Sequence, residues 1–395
     1  MAGHKKARLW IEGRKNPEAR ATFNRKSGRT YWFHCSSLGE FEQGRPLIEA
    51  LRVKEPEANI VLSFFSPSGY EIRKNYSIVD CVLYLPLDGK KNAKHFIDTI
   101  KPDIVFFIKY DYWYYYLETL KEKNISVYIV SAIFRKDQHF FTWYGSFFKK
   151  MLDNITHFFL QDNSSAELLQ KIGLNNYTVS GDTRFDRVTE NSKTISPISV
   201  LDKFTSDSIT LVCGSTWPTD EELLIKVFHR LNNPRLKLII APHDIDKKRI
   251  EGLEKSASQN LKKSEVLLFS KADDEKMSEC RILVLDTMGQ LSTVYSYGNL
   301  AYVGGGFGKG IHNTLEPAAF GIPIIFGPKH QKFREATGLI ESGAAFSISS
   351  ENELALIIDT LIKQKTLMAG AGNAADEYVK SNSGATRAIL LKLNL

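Results

Sequence analysis

Short apolar runs alternate with segments of helical period along almost all of this 395-residue chain, and they do so in two series. The first series has runs at Tyr31–His34, Ile60–Phe65, Ile104–Ile108, Val127–Ser131 and His157–Leu160. The second has them at Thr210–Cys213, Leu236–Ala241, Val266–Phe269, Ile282–Leu285, Leu300–Val303 and Pro323–Phe326. Helical patterns such as Phe41–Arg52, Asn92–Ile100, Glu221–Leu231 and Leu354–Ile362 lie between or after them. Strands joined through helices pair in parallel, with the helices covering both faces of the sheet. The expected fold class is α/β, with two doubly wound Rossmann-like domains. Residues 188–207, rich in Ser and Thr and without periodicity, read as a linker. The expected domains are therefore 1–187 and 208–395, with the last helix free to pack back on the first. Ligands in such folds bind outside the carboxyl ends of the strands, so two of them are expected to face each other across a cleft.

Composition narrows the class. A hydrophobic share of 43% and a charged share of 25% are those of a soluble globular protein. Cys35, Cys81, Cys213 and Cys280 are far apart and form no CxxC pair, which argues against a zinc site or a disulfide framework and for a reducing compartment. No apolar run reaches the roughly 18 residues of a membrane span, and residues 1–13 lack a signal-peptide pattern. Residues 1–30 hold nine basic side chains (Lys5, Lys6, Arg8, Arg14, Lys15, Arg20, Arg25, Lys26 and Arg29) against Glu12 and Glu18, a surplus equal to the +7 of the whole chain. A basic segment on a neutral body suits an anionic membrane surface or a phosphorylated substrate better than a nucleic-acid groove. A solvated arm without a partner is the other reading.

The stretch VGGGFGKGIHNTLEPAAFGIPIIFGP, Val303 to Pro328, reads as a strand end, a glycine loop, a short helix and a second strand. Gly304, Gly305, Gly306, Gly308 and Gly310 let the backbone approach a ligand closely. A helix whose first turn is Asn313, Thr314, Leu315 and Glu316 would aim free N–H groups at an anion such as a nucleotide phosphate. Glu316 itself suits ribose hydroxyls. Asn313 with Glu316 three residues on also fits a capping box, a purely structural device. In the first domain, FHCSSLGE (33–40) runs from a strand end into a helix. A carboxylate at that turn, Glu40, is expected to stay ionised and can serve as a general base. A favourable N-terminal glutamate without chemistry is the alternative.

The runs SSLGE (36–40), GDTRFD (181–186), GSTWPTDEE (214–222), LDTMGQL (285–291) and GIHNTLEPAAFGIPIIFGP (310–328) together resemble the motif series of the 3-deoxy-D-manno-octulosonic-acid (Kdo) transferases of lipopolysaccharide synthesis. Order and spacing match over about residues 30–345. The resemblance implies the GT-B glycosyltransferase fold. It also implies inverting transfer of Kdo from CMP-Kdo to a hydroxyl of a lipid A precursor. By that resemblance Glu40 is the base, and Asp111 and Arg184 support the transition state. CMP is held by Pro242 and His243, by Met288, Gly289 and Gln290, and by Asn313, Thr314, Leu315 and Glu316. No metal or other cofactor is implied; CMP-Kdo is a substrate. The chain departs from the pattern at Pro242-His243-Asp244, where Pro-Arg-His is usual, and at Gln290, where Glu is usual. Arg184 stands for Lys, and Lys109 and Asp111 stand where two glutamates are common. Asp244-Ile245-Asp246 matches a metal-binding DxD pattern, but Asp at a helix start is an ordinary cap.

A phosphorylated glycolipid acceptor calls for a greasy, basic surface. Phe140, Phe141, Trp143, Phe147 and Phe148 followed by Lys149 and Lys150 have the composition of an interfacial element; core packing is the other reading. The expected place is the cytoplasmic face of a bacterial inner membrane, peripheral or anchored by a segment absent from this chain. Another GT-B enzyme, such as a UDP-sugar transferase or an epimerase, and a non-catalytic lipid-binding scaffold are the alternatives.

Overall fold

The computed structural model describes residues 5–14 and 23–395; Met1 to His4 and, in the basic segment, Lys15 and Arg20 lie outside the described residues. The chain forms two compact units, one running to Arg187 and taking back the C-terminus from Asn382, the other spanning Val188–Ser381.

In the first unit the strands are β1 (Thr30–Cys35), β2 (Asn59–Phe64), β3 (Cys81–Tyr84), β4 (Ile104–Ile108), β5 (Ser126–Ala132), β6 (His157–Leu160) and β7 (Tyr177–Val179). Its helices are α1 (Lys5–Glu12), α2 (Leu38–Lys54), α3 (Pro67–Arg73), α4 (Lys90–Ile100), α5 (Tyr114–Glu122), α6 (Ser146–Leu152) and α7 (Asn163–Lys171). The helix α8 (Thr183–Lys193) carries the chain from this unit into the next. The sheet is parallel, in the order β3-β2-β1-β4-β5-β6-β7. Both of its faces are buried. Trp32 of β1 points into one core with Phe107 and Tyr116, while Tyr31 and Phe33 point into the other with Phe106 and Ile48. This explains why the strands read as continuous apolar runs rather than alternating ones.

The second unit holds α9 (Ser199–Thr205), β8 (Ile209–Thr216), α10 (Pro218–Leu231), β9 (Leu236–Pro242), α11 (Lys247–Ala257), β10 (Val266–Leu268) and β11 (Ile282–Val284). It continues through α12 (Leu291–Tyr295), β12 (Leu300–Val303), α13 (Leu315–Ala318), β13 (Ile324–Phe326), α14 (Arg334–Glu341), β14 (Ala345–Ser347), α15 (Glu351–Lys363) and α16 (Lys365–Asn382). This sheet too is parallel, in the order β10-β11-β9-β8-β12-β13-β14. The final helix, α17 (Ala385–Lys392), buries Ile389 and Leu390 in the core of the first unit, beside Leu47 and Ile48 of α2.

Strand order reverses between β1 and β4 in the first sheet and between β8 and β12 in the second. At such a point the loops leave in opposite directions and open a crevice at the carboxyl ends of the strands. The loops from these four strand ends hold Glu40, Asp111, Trp217 and the Val303–Asn313 stretch.

Several expectations need correction. The stretch 188–207 is not an aperiodic linker: α8 runs into it, and α9 buries Leu201 and Phe204 in the second core. Among its described residues, the basic segment is anchored at three positions. Arg14 donates to the carbonyl oxygens of Leu85 (2.9 Å), Trp10 (3.0 Å) and Phe65 (2.6 Å). Arg25 donates to Ile100 O at 2.5 Å, and Lys26 pairs with Asp80 at 2.8 Å.

Candidate functional site

In the first unit the site is built on the ends of β1 and β4. The chain leaves β1 through Ser36 and Ser37 and enters α2, whose first turn carries Glu40. The Ser37 backbone N–H donates to Glu40 Oε2 at 2.9 Å, so the side chain is folded back over the turn. Asp111 follows β4 and is buried; Ser36 Oγ donates to its Oδ1 at 2.6 Å, and His34 Nε2 lies 3.4 Å from its Oδ2. Lys109, between strand and aspartate, is held at φ 73°, and Ser131 on the neighbouring β5 at φ 53°. Such conformations cost about 1–3 kcal/mol and cluster where side chains must be aimed.

Electrostatics differ from the sequence expectation for Glu40. Desolvation pushes its carboxyl above the ordinary range, outweighing the Ser37 hydrogen bonds and the Lys109 charge that favour the anion. Helix-end stabilisation alone would have kept it low. Asp111 is pushed well up, first by burial and then by the nearby Glu40 charge. Two carboxyl groups in one dry crevice resist ionising together, and the more buried Asp111 is pushed up the further of the two.

Arg184 sits at the start of α8 with Nε 2.9 Å and Nη2 2.8 Å from Asp182 Oδ2. Asp182 is fixed in turn by Gln43 Nε2 of α2 (3.2 Å) and by the Arg184 backbone N–H (2.9 Å). Asp182 and Gln43, which link the arginine to the Glu40 helix, had no separate signal in the sequence.

In the second unit Ser215, Gly289, Leu291, Ser292, Tyr295, Asn313 and Glu316 line a cavity of about 280 Å³. That is near the lower end of small-ligand pockets. Three runs named from the sequence meet around it, since Ser215, Gly289, and Asn313 with Glu316 line the wall, and Met288 beside Gly289 is exposed. Asn313 Nδ2 donates to Glu316 Oε1 at 3.0 Å, and Leu315 N donates to Asn313 Oδ1 at 3.1 Å. The expected capping box is thus replaced by a side-chain pair. The helix is shorter than expected: α13 has four residues and starts at Leu315, with Thr314 buried before it. A single turn has almost no summed dipole, which removes that part of the attraction expected for an anion there. Gln290 precedes α12, and its side-chain oxygen takes a long contact from Thr287 Oγ1, 3.4 Å.

Pro242 and His243 end β9 outside that lining. The His243 ring stacks on Trp217 (centroids 4.7 Å apart) and on His312 (4.5 Å), and Trp217 Nε1 donates to His312 Nε2 at 3.0 Å. Sequence reasoning passed over Trp217 and His312; both stood inside quoted motifs. The glycine loop also differs in purpose. A Cβ on Gly304 would strike Ser215 O, and one on Gly306 the backbone of Gly327. These glycines let the β12 loop pass against the ends of β8 and β13, and Gly305 and Gly310 take left-handed φ of 94° and 136°. The buried Asp220 secures the loop, accepting from Gly305 N (2.9 Å), Trp217 N (2.9 Å) and Tyr302 Oη (2.8 Å). In the DxD run, Asp246 Oδ1 accepts from Arg249 N at 3.0 Å, an ordinary cap of α11.

The aromatic run divides. Phe140 belongs to the first core and Phe141 and Phe148 pack on it, against the interfacial expectation for those three. Trp143 is 95% exposed and Phe147 55%, with Tyr144 between them also exposed. Phe147 stacks on Tyr114 at 5.3 Å, and Lys149 and Lys150 follow on α6. Among the described residues, no helix is long and apolar enough to cross a membrane.

Comparison with known proteins bears on this arrangement. A family model described as 3-deoxy-D-manno-octulosonic-acid transferase (kdotransferase) matches residues 11–187. A 3-deoxy-D-manno-octulosonic acid transferase of Chlamydia trachomatis serovar A is 27% identical over 366 residues, covering 88% of this chain and 81% of the relative. Enzymes of the same description from Haemophilus influenzae (25% identical, 91% and 85% covered) and Aquifex aeolicus (28%, 85% and 86%) align as fully. Among solved structures, a UDP-GlcNAc 2-epimerase from Neisseria meningitidis superposes with a TM-score of 0.64 at 12% identity, over 93% of this chain and 99% of that one. A glycosyltransferase from Rickettsia africae gives 0.58 at 13%, over 92% and 97%. These two likenesses show the fold. A Kdo transferase model thus matches the first unit, and relatives of that description align with most of the chain, whose architecture is the GT-B fold.

Proposed function

We propose that this protein is an inverting glycosyltransferase that moves Kdo from CMP-Kdo to a hydroxyl of a lipid A precursor in lipopolysaccharide synthesis. One observation carries the reading: at the switch point of the first sheet, a partly desolvated Glu40 stands beside a more deeply buried Asp111. Burial raises Glu40 toward the working pH, where a general base is most effective. Glu40 takes the proton of the acceptor hydroxyl while that oxygen attacks the anomeric carbon of Kdo. The bond from that carbon to the CMP phosphate breaks, and a single displacement inverts the centre. Charge growing on the leaving phosphate calls for fixed cations and N–H donors, and Arg184, oriented by Asp182, is a cation the first unit offers. In the second unit the cavity with Glu316, Asn313 and Gly289 takes CMP, with Glu316 accepting from ribose hydroxyls. The reading involves no metal cofactor.

The acceptor is a lipid, and the exposed Trp143, Tyr144 and Phe147 with Lys149 and Lys150 are the surface we assign to its anionic bilayer. Competition tests the donor: CMP should displace a labelled cytidine nucleotide where UDP does not. Displacement by UDP alone would contradict CMP-Kdo as the donor.

A further inference from the structure

Behind the carboxyl pair, two buried polar atoms face each other. His34 Nε2 and Asp111 Oδ2 are 3.4 Å apart, and among the described residues neither has a hydrogen-bond partner elsewhere. The ring is fully buried, with Phe107 and Trp113 edge-on against it. A buried polar atom without a partner costs about 1–3 kcal/mol. Two of them in register therefore call for a proton between them.

The other end of the ring shows which atom carries it. His34 Nδ1 lies 2.8 Å from Ser63 Oγ, which also accepts from Trp32 Nε1 at 2.7 Å. The Ser63 hydroxyl has Phe33 O at 3.4 Å as an outlet for its own hydrogen. A hydroxyl gives one hydrogen and accepts two. With the proton on Nδ1, Ser63 accepts from both Trp32 and His34 and donates to Phe33, and every group is satisfied. His34 Nε2 is then a bare lone pair aimed at Asp111. Against it, an ionised carboxylate would be repelled, whereas a protonated one donates Oδ2–H to Nε2 and accepts from Ser36 Oγ at Oδ1. The surroundings agree. Burial holds His34 neutral, down to about 3, with Arg14 adding to the effect. Asp111 faces Glu40 and Ser36, and Tyr112 lies near it. Glu40 faces Lys109 and the Ser36 and Ser37 amides, and Cys35 and Glu42 complete the set.

We propose that His34 is a positioning residue: its Nε2 accepts the hydrogen bond of a neutral Asp111 carboxyl, which leaves Glu40 as the one charged member of the pair. The inference rests on the reading of Glu40 as the base. It adds a chain from Trp32 through Ser63 and His34 to Asp111 that sets the charge state of the crevice from the core side.

Infrared spectroscopy of the whole protein near pH 7, with carboxyl-labelled aspartate, tests the proton directly. The protein should show one protonated aspartic-acid C=O band. Asp111→Asn should remove it, and His34→Leu should shift it. Under steady-state turnover, His34→Leu should lower kcat by about tenfold or more at unchanged KM for donor, and His34→Gln, whose amide oxygen accepts the same hydrogen bond, should recover most of the loss. Absence of a protonated aspartate band, its survival in Asp111→Asn, or wild-type turnover by His34→Leu would overturn the proposal. If His34→Leu does not fold, the wild-type and Asp111→Asn spectra decide alone. A protein that shows the band but transfers no Kdo leaves this inference standing and overturns the functional reading instead.

Discussion

Glu40 is the proposed base, and its environment sets the clearest expectations. Glu40→Gln removes the base but keeps the shape of the turn, so turnover should fall by about 10² to 10⁴ with CMP affinity unchanged. Equal turnover in a kinetic assay would take Glu40 out of the mechanism. Because burial raises its carboxyl above the ordinary 4.5, the base is lost as pH falls through that raised value. The acid limb of kcat should therefore lie above 4.5, and a limb at or below it would contradict a desolvated base. Glu316→Ala should weaken CMP while leaving free phosphate binding unchanged; a parallel loss of both in a titration would reduce Glu316 to an ordinary turn residue. Glu40 and Glu316 were legible because each stands in a short run with its neighbours. His34, Asp182 and Asp220 were not. Each has a deciding partner, 77, 139 and 82–85 positions away respectively, that appears only once the chain folds.

At the scale of elements, the sites depend on how the loops after the strands are held. Asp220, on α10, ties the β12 loop to the β8 end through Gly305, Trp217 and Tyr302. Asp220→Ala leaves two buried donors, Gly305 N and Tyr302 Oη, without that partner, at about 1–3 kcal/mol for such a group, and also frees the part-buried Trp217 N–H. The expected outcome is a lower denaturation midpoint together with weaker nucleotide binding; unchanged values of both would show that the loop holds itself. The long apolar strands and helices were readable because each fills both a period and a length. The short β7 and β14 escaped because polar and exposed positions break their apolar runs, whereas the equally short β10, β11 and β13 are unbroken; β3 was missed despite its apolar run. The helices α8 and α9 escaped because Ser and Thr usually mark loops, and only tertiary burial of Leu201 and Phe204 overrides that. The single turn of α13 was misread as a helix start because Asn313 and Glu316 have capping-box spacing yet bond to each other.

For the whole molecule, the question is how a chain without a spanning helix among its described residues would reach the proposed lipid acceptor. The basic N-terminal segment was the obvious candidate from charge alone. In the fold, Arg14, Arg25 and Lys26 are engaged with backbone carbonyls and Asp80. That leaves Trp143, Tyr144, Phe147, Lys149 and Lys150 as the better surface. Lys149→Glu with Lys150→Glu should weaken binding to anionic vesicles and raise KM for the lipid acceptor, without changing CMP affinity. Vesicle binding should also fade at about 0.5 M salt, where screening confines charge effects to a few Å. If neither sedimentation with vesicles nor acceptor KM moves, the lipid docks elsewhere. The central claim, Kdo transfer to a lipid A precursor, is tested most directly by mass analysis of the product formed from CMP-Kdo and that precursor. The account predicts a lipid heavier by one or more Kdo residues, formed by the wild type and almost absent with Glu40→Gln; an unmodified precursor beside active, CMP-binding protein would contradict it.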